Sequence, residues 1–285
     1  MTLPCITAAR RFDADAHLPF WIDAEQVGWI RSTDVPLLAR WPDVFEIDGV
    51  ERGRVTLASV FNTVDLRSAA LGSVIGALAA EGRIPGWRNE TYAIRNAFDA
   101  PPLAYIERAA SRFFGTMTYA VHLNGVVEYA DGAPQLWIAR RSDTKATDPG
   151  MLDNVVAGGI GWGFGIEATI IKECWEEAGI PEEIAARATA GRTAHVLQSL
   201  PEGTQAEQIF IYDLALPGDF APRNQDGEVG EHRLARIDEV ARWIEEGGMT
   251  VDASLATLDC LLRRRWIDAD ACPGIETLFE PPALA

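Results

Sequence analysis

Residues 158–179 read Gly158-Gly159-Ile160-Gly161-Trp162-Gly163-Phe164-Gly165, then a helical pattern that stops at Gly179. No other segment restricts the fold so tightly. Five glycines in eight residues let the backbone approach a ligand closely and leave amides free at the positive end of the next helix. A helix is predicted over 166–178, ended by the glycine that follows it. Glu173, Glu176 and Glu177 stand at i, i+3 and i+4, so all three share a face. Like charges at this spacing repel, and Lys172 alone cannot neutralise three of them. A hard divalent cation can: Mg²⁺ takes oxygen ligands, keeps several waters and is completed by substrate phosphates. The competing reading is a solvated acidic helix face, which the glycine run and the terminating glycine weaken.

The rest of the chain places this segment in a larger α/β (α+β) fold. Residues 116–124 alternate as a half-buried strand does, and Leu136 to Ala139 read as a second strand after an Asp-Gly turn at 131–132. Ile209 to Tyr212 and Leu234 to Ile237 read as further strands. Helical patterns cover 238–246 and 255–268. In the first hundred residues, Ser68 to Glu81 is helical, and the Pro101-Pro102 pair marks a break. We expect an accessory domain over 1–110, the principal domain over 111–248 and a helical extension over 249–285. Periodicity does not choose the sheet order.

A chain of 285 residues with 48% hydrophobic and 24% charged residues is globular and long enough for two compact domains. The net charge of -17 repels polyphosphate backbones, so nucleic acid and anionic membranes are not expected partners. It does not exclude a small anionic substrate, because metal ions and a few cations can reverse the field inside a cleft. Four cysteines, Cys5, Cys174, Cys260 and Cys272, form no C-x-x-C pair, and no apolar signal core opens the chain. A cytoplasmic location is the expectation. There is no G-x-S-x-G elbow and no P-loop, which argues against a serine hydrolase and a phosphotransferase. His122 reads as a satisfied histidine at a strand end, Cys174 as a small core residue and Trp87 as core.

The glycine-helix segment resembles the Nudix box, G-x5-E-x7-R-E-U-x-E-E-x-G-U, with Gly158 at its first position and Glu173, Glu176, Glu177 and Gly179 at its last acids and glycine. Two positions depart: Phe164 stands for the first glutamate and Lys172 for the arginine. The likeness extends to Leu136 through Ser142, Lys145, Pro149 through Asn154, Tyr212-Asp213-Leu214 and Asn224 through Val229. It also includes Val27 through Ile30 and Gly86 through Glu90. In all it spans roughly residues 15–270 and is similar to the thiamine-pyrophosphokinase-related subgroup, in which the first glutamate is commonly absent.

This resemblance implies a Nudix α/β/α sandwich with a mixed sheet, preceded by a smaller α+β domain. It also implies a pyrophosphohydrolase acting on a small-molecule diphosphate, with thiamine diphosphate and its oxidised derivatives as candidate substrates. The alternative is an inactive ligand sensor on the same fold. Mg²⁺, or Mn²⁺ in its place, would be held by Glu173, Glu176, Glu177 and the carbonyl of Ala157. Glu173 is the first candidate for the base, Glu228 the second, with Glu177 in the same catalytic group. Arg88, Arg140, Lys145, Gly158 and Gly159 are the expected substrate contacts. Arg140 and Arg141 are neighbours on a strand, so only one can enter the pocket. Family likeness is also compatible with a homodimer.

Overall fold

The computed structural model describes residues 3–49, 53–130, 132–145 and 147–282. The expected Asp131-Gly132 turn falls partly on residue 131, outside the described residues. The first unit opens with α1 (Pro4–Ala8), β1 (His17–Ile22), β2 (Glu25–Arg31), α2 (Val35–Leu38), β3 (Phe45–Asp48) and β4 (Arg54–Leu57). The four strands pair in the order β2-β1-β4-β3, with β1 and β4 parallel. Helix α3 (Val64–Ala80) packs on this sheet, starting where the Thr63 hydroxyl accepts from the Leu66 amide. A hairpin of β5 (Thr91–Ile94) and β6 (Ala104–Glu107) and the short α4 (Ser111–Phe114) complete a core centred on Phe20, Leu71, Ile75 and Phe114.

The second unit contains β7 (Met117–Val127), β8 (Gln135–Arg141), β9 (Leu152–Asn154) and β10 (Val156–Gly159), then α5 (Ile166–Ala178) and α6 (Glu182–Ala185). It continues with β11 (Thr189–Leu200), β12 (Gly203–Ala215), β13 (Val229–Arg236), α7 (Ile237–Glu245) and α8 (Val251–Arg263). The main path is β11-β12-β7-β8-β13; β7 and β12 are parallel and the remaining pairs antiparallel. This is the expected mixed sheet. β7 pairs with β8 only through residues 125–127, and the two strands then part. The gap is filled by β9 on β8 and β10 on β7. That wedge carries Gly158 and Gly159 into the middle of the sheet.

Alternation along β7 sends Tyr119, Val121 and Leu123 to one face, against Ile170, Cys174 and Ala178 of α5. The opposite face is covered by α1, α7 and α8, with Val196, Ile209, Ile211, Leu255 and Leu258 at its centre. The result is an α/β/α sandwich. Helix α5 ends at the expected residue: Gly179 is left-handed (φ 62°), and its amide and that of Ile180 close the last turn onto Trp175 and Cys174. Among the described residues no helix is long and apolar enough to cross a membrane.

Some expectations are corrected. Trp87 is 46% exposed rather than core, its Nε1 donating to Asn89 Oδ1 at 2.8 Å. His122 lies in the middle of β7, not at its end, buried and hydrogen-bonded through Nδ1 to Asn154 Oδ1 at 2.8 Å. The strand expected at 234–237 runs from 229 to 236, because Arg236 is already the N-cap of α7. Helix α8 starts four residues earlier than the expected 255, where the Thr250 hydroxyl caps Ala253. Cys174 is core as expected, and burial pushes its thiol up to about 12.

Candidate active site

Helix α5 lies beside β10, and its acidic face meets the glycines of that strand. Glu177 points inward: its side chain is 6% exposed, and Oε2 accepts from the Ala157 amide at 2.8 Å. The nearest cation is the Lys145 ammonium, 3.8 Å from Oε1, beyond hydrogen-bond reach. Burial lifts the Glu177 carboxyl well above the usual range, against the Lys145 charge and the Ala157 N–H. Glu173 lies against Gly158, where a Cβ would come within 2.4 Å of its carboxyl carbon. Only glycine leaves that cradle open. Burial raises the Glu173 pKa too, opposed by Lys172 and reinforced by Glu176 and Glu228.

Two lysines stand among these acids. Lys172 Nζ is 2.9 Å from Glu173 Oε1 and 2.7 Å from Glu176 Oε2. Lys145 joins Glu177 to Glu228. Glu228 arrives from the loop before β13, which is tied to α5 by Gln225 N–Glu176 O (2.7 Å) and Arg223 N–Ala178 O (2.9 Å). Arg88, from the first unit, reaches Glu228 at 3.3 Å. Burial opposes ionisation of Glu228, but the Lys145 bond and charge, with Arg88, outweigh it and hold its carboxyl below the usual range.

Among the described residues, no three acidic, histidine or cysteine side chains stand close enough together to hold a metal as they are. Two ammonium groups lie between the carboxylates instead. The donor set nevertheless fits a hard cation: carboxylate oxygens, one buried and undercompensated, grouped around positive charge at a glycine cradle. Arg141, not Arg140, turns toward this centre, bonding Asp153 Oδ2 (2.7 Å) and the Thr147 carbonyl (2.8 Å). Arg140 pairs with Asp143 at the surface. The structure thus brings together Glu173, Glu176, Glu177, Glu228, Lys145, Arg88, Ala157, Gly158 and Gly159, and leaves Arg140 outside.

On the other side of Gly159 a cavity of about 380 Å³ opens between the two units. A Cβ at Gly159 would fall 2.0 Å from the Tyr92 hydroxyl, which borders this cavity. Arg88 borders it as well, so the cavity and the acidic cluster adjoin.

Residues 121–253, which hold the cluster, match the family model of the NUDIX domain; residues 1–118 match DUF4743, a domain of unknown function. The uncharacterized protein YJR142W of Saccharomyces cerevisiae is 32% identical over 67% of this chain and 59% of its own. Nudix hydrolase 20, chloroplastic, of Arabidopsis thaliana is 40% identical over 88% of this chain and 68% of its own. Nudix hydrolase 24, chloroplastic, of the same plant is 39% identical over 92% of this chain and 71% of its own. The chain belongs to the Nudix hydrolase family.

Where this Nudix hydrolase departs from the box, the structure shows what stands instead. Phe164 is exposed on the glycine loop, and Lys172 ties two of the three acids together. Sequence reasoning missed Tyr92, Arg108, Gln205 and Glu207 at the cavity. They come from β5, the turn after β6, and β12, and no short-range pattern joins them.

Proposed function

We propose that this Nudix hydrolase cleaves the diphosphate bond of a small molecule with Mg²⁺, or Mn²⁺ in its place, held by Glu173, Glu176, Glu177 and the Ala157 carbonyl. The observation that carries the reading is Glu177, a buried carboxylate whose nearest cation is too far to bond it, set beside a cavity of ligand size. Such a group is costly without a positive partner. A bound divalent cation would neutralise charge developing on the diphosphate and acidify a water. Phosphoryl transfer depends mostly on positioning and electrostatics, so no covalent nucleophile is needed.

Glu173 suits the role of base better than Glu228. Its Oε2 has no hydrogen-bond partner among the described residues, whereas cations engage both oxygens of Glu228. Arg88 and Lys145 are placed to contact phosphate oxygens, with Gly158 and Gly159 allowing close approach. Resemblance to the thiamine-pyrophosphokinase-related subgroup makes thiamine diphosphate and its oxidised derivatives the first substrates to try.

The test is phosphate release from thiamine diphosphate, its oxidised forms, ADP-ribose and nucleotides, with and without Mg²⁺, beside a Glu176→Gln/Glu177→Gln variant. Metal-dependent turnover lost in the variant is expected. Tight metal-dependent binding without turnover by the wild type would overturn the hydrolase reading and leave a sensor.

A further inference from the structure

The cavity between the two units has a divided character. Its exposed rim carries Arg83 and Arg88, next to the acidic cluster. Arg108 and Arg112 also border it, but Glu90 and Glu202 already neutralise them. Its buried wall is different. Ser111 and Thr204 are 3% and 1% exposed, both line the cavity, and neither hydroxyl has a hydrogen-bond partner among the described residues. Buried hydroxyls left this way are costly unless something else satisfies them.

Beside them stands Glu207. Its Oε1 accepts from the Thr118 hydroxyl at 3.1 Å and its Oε2 from Gln205 Nε2 at 2.7 Å. The same Gln205 amide donates to Asp252 Oδ2 at 3.0 Å. Two carboxylates therefore share one neutral donor, and among the described residues neither has a cationic partner within 4 Å. Each Glu207 oxygen keeps a lone pair beyond the bond it already accepts. The wall offers acceptors and negative charge; the rim offers positive charge.

We propose that this cavity binds the non-phosphate half of the substrate, and that it selects an organic group carrying N–H donors or a positive charge, docked on Glu207 with Thr118, Gln205, Ser111 and Thr204 around it. The assignment rests on the diphosphate-hydrolase reading for the position of the phosphates, at the Arg88 rim beside Glu173 and Glu177. A hydrocarbon tail would bury the Glu207 charge without a cation and leave the two hydroxyls unpartnered, and that mismatch is the source of the selectivity.

Two probes differ in the required feature: thiamine diphosphate, with an amino group and a cationic ring, and isopentenyl diphosphate, with neither. The wild type should favour the first in kcat/KM, and Glu207→Gln, which keeps the side chain's shape and removes its charge, should reduce the ratio of the two about 10–100-fold, as expected for a hydrogen bond to a charged group. A wild-type ratio near one, or a ratio unmoved by Glu207→Gln in a protein of native circular dichroism, would overturn the proposal. Calorimetry with unphosphorylated thiamine separates the two readings. Binding that Glu207→Gln weakens tenfold or more supports the pocket even where no diphosphate is hydrolysed. Turnover of both diphosphates with no thiamine binding keeps the hydrolase and discards the pocket.

Discussion

Two groups of buried acids in the second unit are compensated in opposite ways. On the α8 face, Asp259 is fully buried and meets Arg192 Nε at 2.6 Å and Arg263 Nε at 2.7 Å. Asp213, equally buried, meets Arg263 at 3.0 Å, Arg264 at 3.3 Å and Asn124 at 3.1 Å. On the α5 face, Glu177 has one backbone amide and a lysine 3.8 Å away. The first arrangement spends its charges on each other and holds the structure. The second leaves negative potential unspent, which is what a cation-binding site requires and what a scaffold avoids.

Four experiments can break or sharpen this contrast. The largest effect is expected from Glu177→Gln: turnover should fall roughly a thousandfold, the several kcal/mol that a metal contributes. Its metal-free form should melt at or above the wild-type temperature, because an undercompensated charge has been removed. A matching loss of metal-free stability would mean that Glu177 is scaffold. Asp259→Asn should do the reverse, costing about 3 kcal/mol in urea denaturation while the folded fraction keeps its kcat. Gly158→Ala comes next. Its new Cβ meets the flexible carboxylate of Glu173, so kcat should drop by roughly 10–100-fold from misplacement of that group. Stability should change by less than about 1 kcal/mol; a large loss would show that Gly158 serves the backbone.

The smallest effect concerns pH. Burial, then the Glu207 charge, pushes the Asp252 carboxyl up to about 7. Its folded pKa lies above an unfolded value near 3.9, so the stability it contributes is complete below about pH 4 and is lost as pH rises through 7. Wild-type Tm should therefore fall between pH 5 and pH 8 relative to Asp252→Asn, by about 2–4 °C per kcal/mol. Parallel pH profiles for the two proteins would remove Asp252 from the account.

Legibility followed the range of the interactions. Helix α5 could be read because its apolar spacing, its three acids and its stop at Gly179 all lie within one short segment. The cradle at Gly158 could be anticipated from the glycine run, though not which side chain would fill it. Strand β11 was missed: Thr189 to Leu200 contains Gly191, Arg192 and His195, whose exposure and partners are set by α8 and the chain ends rather than by alternation. Lys145 was named for phosphate and stands between Glu177 and Glu228, a pairing that depends on a loop more than 80 residues away. Glu207 gave no signal, because its meaning comes from a neighbouring unit that closes over it.

The opening segment has its own consequence. Cys5, Ile6 and Ala9 sit in the core beneath α8; the carbonyls of Ala9 and Arg11 accept from Leu197 and Ser199 of β11; and Arg10 reaches the carbonyls of Thr277 and Glu280. Residues 5–11 therefore dock on segments that are made much later, namely β11, α8 and the stretch at 277–280. At 5–20 residues per second, the 270 residues that separate Arg10 from Glu280 take roughly 15–55 s to make. During synthesis the apolar side chains of α1 therefore wait uncovered until β11 and α8 have been made, for a time set by translation speed.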